Sequence, residues 1–374
     1  MEKNNKNLNV PNLRFPEFSG EWERFRNCTL FKVISEKNKN YEFSTVLSAS
    51  QTEGMVLRDS LGIDIKFDED SIKTYKIVRN GDYVAHLRSF QGGFAFSDKT
   101  GVCSPAYTIL RPSETISYGF LKPYFMSRKF IDSLRIVTYG IRDGKSISVE
   151  EWLKLYTCIP KANEQEKISK FLKLINERIE TQKKVIEKYE SLIRGIYHSV
   201  FSKPSSILQL REVVSVVKGK QVNGEELLKE GEYYVMNGGT EPSGYLNEYN
   251  TPANTISISE GGNSCGYVQY NIKPFWSGGH CYSLLQKDDG INYQYLYHFL
   301  KYMERDIMDL RIGSGLPNVQ KKDLERFEIR VLPIEQQNRV AEILEEVSAK
   351  CDLEKRILQR WQYQKSFLLS NLFI

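Results

Sequence analysis

The strongest constraint on this chain is that it says one thing twice. "IPKANEQEKISKFLKLINERI" begins at Ile159, and "VLPIEQQNRVAEILEEVSAKC" begins at Val331. Gln165 corresponds to Gln337, 172 residues further on. The same shift pairs Glu151 with Asp323, Leu155 with Phe327, Ile168 with Val340, Ile186 with Leu358 and Phe201 with Phe373. One residue slips near Pro160 and Pro333, where each copy turns from strand to helix. So long a period excludes a solenoid, whose repeats run to roughly 20–50 residues. It marks a duplicated unit, a globular domain followed by a helix.

The helical part follows a seam. Leu172, Ile175, Ile179, Gln182, Ile186, Tyr189, Ile193, Ile196 and Val200 succeed one another in alternating steps of three and four. The second copy runs Leu344, Val347, Cys351, Glu354, Leu358, Trp361, Lys365, Leu368 and Leu372. A mean step near ~3.5 is that of a coiled coil. Asn163 with Glu166 reads as a capping box, and Pro204 stops the first helix. About 38 residues at a rise of ~1.5 Å make a rod of about 57 Å. Both seams lie on one chain, so the helices are expected to pair with each other, antiparallel; docking each on another protein is the alternative. Gln182 and Glu354 break the two seams at equivalent places. Either they fix register or they face solvent.

The remainder reads as α+β. "YKIV", "GDYVAHL", "AYTIL", "TISIS" and "YVQY" are short runs rich in β-branched and aromatic residues, punctuated by Gly and Asn. Helical stretches are fewer: "YGFLKPYFMSRKFIDSL" and, correspondingly, "YQYLYHFLKYMERDIMDL". The expected fold is therefore two α+β domains with mixed or antiparallel sheets, in pseudo-twofold tandem, each followed by a long helix. The boundaries fall at 1–20 for an N-terminal arm, 21–158 for the first domain, 159–204 for its helix, 205–331 for the second domain and 332–374 for the last helix. By the pseudo-symmetry, the arm should lie beside the end of the last helix near Phe373, bringing the termini together.

Enzymatic motifs fail one by one. "GIRDGKS" at 140–146 has three residues between its glycines where a phosphate loop needs four. Cys265, His280, Cys281 and His298 match no zinc spacing. "GGNSCG" is followed by a strand-like run, not the helix a dinucleotide fingerprint requires. No two prolines are adjacent, which excludes the Asn/Asp-Pro-Pro-aromatic motif of amino-methyltransferases. The chain reads as non-catalytic, with no metal site. A net charge of +5 leans toward a polyanionic partner without requiring one. The six cysteines are scattered, the N-terminus lacks an apolar leader and no long apolar run spans a membrane, so a reducing cytoplasm is expected.

"VPNLRFPEFSGEWE" closely resembles the N-terminal signature of specificity subunits of type I restriction–modification systems. The repeated block, Ile147 to Leu172 and again Val319 to Leu344, is similar to theirs as well. Trp152 stands where leucine is usual, and "PKANEQ" sets its proline one residue further from the glutamine. The resemblance implies two target recognition domains, each reading half of a split DNA site, on conserved spacer helices that set their distance. Double-stranded DNA, methylation subunits (two of them) and restriction subunits would be the partners. S-adenosylmethionine, ATP and Mg²⁺ would belong to those partners, not to this chain. Direct base reading favours Arg, Asn and Gln, and phosphate contact needs Lys or Arg. On that ground the DNA-contacting candidates are Arg88, Gln91, Lys99, Arg142 and Lys145 in the first domain. Asn263, Tyr267, Lys273, His280 and Arg311 are those in the second. Two other readings remain open here, a coiled-coil scaffold that binds proteins and an enzyme without a recognisable motif.

Overall fold

The computed structural model describes residues 9–50, 53–61, 69–86, 93–139, 146–287, 289–313, 315 and 317–374. The chain divides into two compact units, residues 1–182 with 357–374, and residues 183–356.

In the first unit a four-stranded antiparallel sheet has the spatial order Phe31–Ile34, Thr108–Pro112, Tyr83–Ala85, Phe94–Phe96. Tyr83, Val84 and Ala85 are all buried, so this strand is covered on both faces and reads as an unbroken apolar run. A second ladder pairs Glu23–Arg26 with Tyr156–Ile159 and joins the start of the domain to its end. Asn27 locks that junction: its Nδ2 donates to the Trp152 carbonyl at 2.9 Å and its Oδ1 accepts from the Thr157 hydroxyl at 2.7 Å. Phe94, Phe125, Phe130 and Trp152 form an aromatic core with neighbouring ring centroids as close as 4.6 Å. The stretch "YGFLKPYFMSRKFIDSL" makes two helices, Leu121–Phe125 and Arg128–Ser133, rather than one. Ser127 divides them, since its Oγ accepts from the Phe130 N–H and caps a new helix.

The arm is tied into this unit. The Leu13 N–H donates to the Asn371 carbonyl at 3.0 Å. Arg14 forks onto buried Glu164, Nε to Oε1 at 2.8 Å and Nη2 to Oε2 at 2.7 Å, and the Trp22 indole N–H adds a third bond. Phe15 meets Phe171 edge-on, and Trp22 meets Phe373. Arg14→Ala would strand a carboxylate whose side chain is only 3% exposed. The expected loss is about 3 kcal/mol, read as a lower melting temperature; an unchanged melting curve would show the fork to be idle.

The second unit repeats the plan. Its sheet has the order Val214–Lys218, Cys281–Gln286, Thr255–Ser259, Val268–Asn271, the same sequence of first, last, second and third strand. Ser206–Gln209 pairs with Glu328–Val331 as the closing ladder. A three-stranded sheet, Gly244–Leu246, Tyr233–Met236 and Trp276–Ser277, is added at the side, its last pairing parallel. "YQYLYHFLKYMERDIMDL" again divides, into Tyr293–Tyr302 and Glu304–Asp309.

His298 is buried on the first of these helices with its Nδ1 2.9 Å from the Tyr197 hydroxyl. Burial pushes its pKa down to about 4. The folded value lies below the ordinary value of ~6.5, so stability is full above that pH and falls as the pH drops toward 4. The expected loss by pH 4 is about 3 kcal/mol. Acid unfolding of His298→Asn should be correspondingly flatter in that window, and an identical pH profile would contradict this.

Two long helices, Ala162–Phe201 and Ile334–Asn371, run through both units. In the first unit Leu172, Ile175 and Ile179 are buried in one core with Leu368 and Leu372, while Leu358 and Trp361 pack half-buried against it. Gln182 is buried and Lys365 half-buried. In the second unit Leu344 is buried in the core against which Ile193, Ile196 and Val200 pack. Ile186 and Cys351 are buried, and Tyr189, Val347 and Glu354 half-buried. Glu190 pairs with Lys355 at 2.8 Å.

Asn163 and Glu166 do not cap the first helix. The Gln165 N–H already donates to the Lys161 carbonyl at 3.1 Å, so both residues lie inside the helix. The helix start is anchored instead by the Gln165 side chain. It donates to the Thr115 and Pro160 carbonyls and accepts from the Ser117 N–H, each at 2.8 Å. Gln337 does the same in the second unit, donating to Leu332 at 2.7 Å and Gly290 at 3.3 Å and accepting from Asn292 at 2.8 Å. Each glutamine reaches the carbonyl five residues before it, so the one-residue slip at the prolines leaves the staple intact.

Candidate recognition surface at the strand ends

In each unit the second and third strands form a hairpin, and its two ends differ. In the first unit the register Ala85↔Phe94 and Tyr83↔Phe96 sets His86 and Gly93 at one end and Lys99 beyond the other. Lys99 is exposed and pairs with Asp98 at 2.7 Å. Arg88 and Gln91 lie outside the described residues, as do Arg142 and Lys145. His86 donates its N–H to the Gly93 carbonyl at 2.7 Å and is buried, which lowers its pKa.

The second unit shows the corresponding surface more fully. The register Thr255↔Asn271 and Ile258↔Val268 sets residues 260–267 at one end of its hairpin and Lys273 beyond the other. Lys273 is exposed and stands apart from the remaining candidates. Asn263 is exposed on the loop itself, and Tyr267 closes it with its carbonyl accepting from the Ser259 N–H. Lys301 caps the Tyr267 ring at 4.1 Å. His280 arrives from the neighbouring strand, its carbonyl accepting from the Glu260 N–H at 2.9 Å. The segment that begins at exposed Arg311 folds back through Ile312 and Asn318, and Val319 donates to the Glu260 carbonyl at 2.8 Å. Asn263, His280 and the Arg311 segment thus gather at one strand end.

Four glycine-bearing segments meet there, "KGKQ" from Lys218, "NGG" from Asn237, "EGG" from Glu260 and "SGGH" from Ser277. Lys220 donates to Ser277, Gly278 to Met236 and His280 to the Asn237 side chain. Gly238 has φ 82°, and a Cβ on Gly278 would lie 2.7 Å from Asn237 Oδ1, so neither position accepts another residue without movement. Lys218, Lys220 and His280 are exposed beside these glycines, two of which, Gly278 and Gly279, are buried. Lys218 and Glu260 went unnoticed in the sequence because their pairing crosses 42 residues.

Among the described residues no group of three or more His, Cys, Asp or Glu is placed to hold a metal ion. No described helix is long and apolar enough to cross a membrane. The chain is a tandem α+β protein, one plan used twice with different residues at the same strand ends.

Residues 203–360 match the family described as type I restriction modification DNA specificity domain. A Mycoplasma genitalium protein named as a type I specificity subunit is 26% identical over 300 residues, 75% of this chain and 78% of that one. A namesake from Mycoplasma pneumoniae is 35% identical over 137 residues, 36% of each chain. The crystal structure of a type I restriction–modification S subunit from M. genitalium has the same fold, with a TM-score of 0.71 and 19% identity, covering 98% of this chain and 99% of that one. A chain from a structure of complex assembly and conformational transition in a type I system follows, with a TM-score of 0.56 and 16% identity over 93% and 96%. Residues 203–360 thus carry a type I restriction modification DNA specificity domain, and the chain as a whole shares the fold of a type I S subunit.

Proposed function

We propose that each unit reads one half of a bipartite, asymmetric DNA site, and that partner subunits methylate adenine or cut DNA as directed. One observation carries the reading: the two units share a strand order but not their strand-end residues. Where the first has His86 after the strand Tyr83–Ala85, the second has Glu260 after Thr255–Ser259. One framework with two different polar surfaces suits two unlike half-sites, whereas a homodimer would read a palindrome. A helix of 40 residues, about 60 Å at ~1.5 Å per residue, exceeds one turn of DNA, about 34–36 Å. It can serve as a spacer between readers.

The chain itself is non-catalytic in this reading. It acts in the cytoplasm with two methylation subunits, which bring S-adenosylmethionine, and with restriction subunits, which bring ATP and Mg²⁺. Co-expression with the methylation subunit, followed by sequencing of genomic DNA for methyladenine, tests it. The expected result is a single two-part, asymmetric motif. A complex that forms and leaves DNA unmethylated would contradict it, and failure to form a complex would favour a protein-binding scaffold.

A further inference from the structure

At the strand end of the second unit sits a carboxylate used on one side only. Glu260 Oε1 accepts from Lys218 Nζ at 2.7 Å and from the Tyr282 hydroxyl at 2.9 Å. Oε2 is buried and has no hydrogen-bond partner among the described residues. The side chain is 10% exposed, and an unsatisfied carboxylate oxygen at that depth destabilises the fold unless something else uses it. The group beside it is His280, whose Nδ1 lies 3.8 Å from Oε2, beyond hydrogen-bond distance. That imidazole is 62% exposed, and its Nδ1 lies 3.9 Å from where a Cβ on Gly261 would stand. A ligand can therefore displace it without opening the core.

We propose that Glu260 is a specificity-determining residue of the second unit, accepting the exocyclic amino group of a cytosine in the half-site that unit reads. This rests on the DNA-reading function proposed above. A carboxylate only accepts, so it selects a base edge that donates. In the major groove cytosine offers N4–H₂ with no neighbouring acceptor of its own, while adenine sets N7, an acceptor, beside its amino group. Guanine and thymine present acceptors to the same point and are repelled. Lys218 and Tyr282 hold Oε1, so the carboxylate is fixed in orientation and Oε2 is the oxygen left to read. The flanking Lys218 and Lys220 stand where backbone phosphate would arrive, which brings the base edge within reach.

The test compares the methylated motif of the wild-type complex with that of a complex carrying Glu260→Gln. Glutamine keeps an oxygen for Lys218 and Tyr282 but puts a donor where Oε2 stood, which pairs with the acceptors that guanine and thymine present there. The expected result is that one cytosine position in one half-site loses its preference, with guanine or thymine accepted, while the other half-site is unchanged. An unchanged motif overturns the inference and leaves the DNA-reading function standing. A wild-type motif with no cytosine on either strand of that half-site also overturns it. If the variant yields no methylation, wild-type complex is tested on duplexes in which pyrimidin-2-one, which lacks the amino group, replaces each cytosine in turn. One position should then weaken binding about tenfold or more, and no weakening at any position overturns the inference. A wild type with no two-part motif removes the DNA-reading function itself.

Discussion

Gln337→Leu is expected to destabilise the second unit by about 3–5 kcal/mol. The side chain is 1% exposed and makes three bonds, to the Asn292 N–H and to the Leu332 and Gly290 carbonyls. Leucine fills the space and leaves the polar groups unpaired in a place water does not reach. The cost is their desolvation, not the loss of contact. Urea denaturation measures it, with the first unit as an internal reference. Gln165→Leu should produce a loss of like size in the first unit, because its side chain repeats the same three bonds. A loss from only one of the two substitutions would mean that the repeat is one of sequence and not of energetics.

Phe201→Ala should cost about 4 kcal/mol. The ring is buried where the first long helix ends, with Tyr197, Tyr295, Phe299 and Tyr302 at centroid distances of 5.4–5.7 Å. Its counterpart Phe373 lies two residues past the end of the second long helix, among Trp22, Phe120 and Tyr124. Each phenylalanine plugs the helix end into the core of its unit, and alanine would leave a cavity lined by rings too rigid to collapse. Phe201→Leu, which preserves most of the volume, should cost less than half as much. Equal melting temperatures for Phe201→Ala and the native chain would refute the plug.

Much of this was readable before any coordinate. "TISIS" is the strand Thr255–Ser259, and "YVQY" lies within one residue of Val268–Asn271, because β-branched runs between turn residues have few other folds open to them. The glutamines were visible as a repeated pair, though their work was not, since it lies in partners about 50 residues away. The capping box misled because Asn163 and Glu166 have the right spacing, while the helix begins earlier to let Gln165 reach back to Pro160. The recognition surface was the hardest part. Lys99 and Lys273 follow strands just as Asn263 does, and only the hairpin register tells one end from the other. Glu260 looks in sequence like any acid before two glycines. Its burial depends on Lys218 and Tyr282, brought to it by two other strands.

On the proposed function, the two units are independent readers on a repeated framework. The most direct measurement replaces residues 206–331, from one strand of the closing ladder to the other, with the matching segment of a specificity subunit of known, different target. The methylated motif of the resulting complex is then sequenced. One half of the two-part site should change to the donor's and the other half stay as it was. A motif altered in both halves, or in neither, would contradict it.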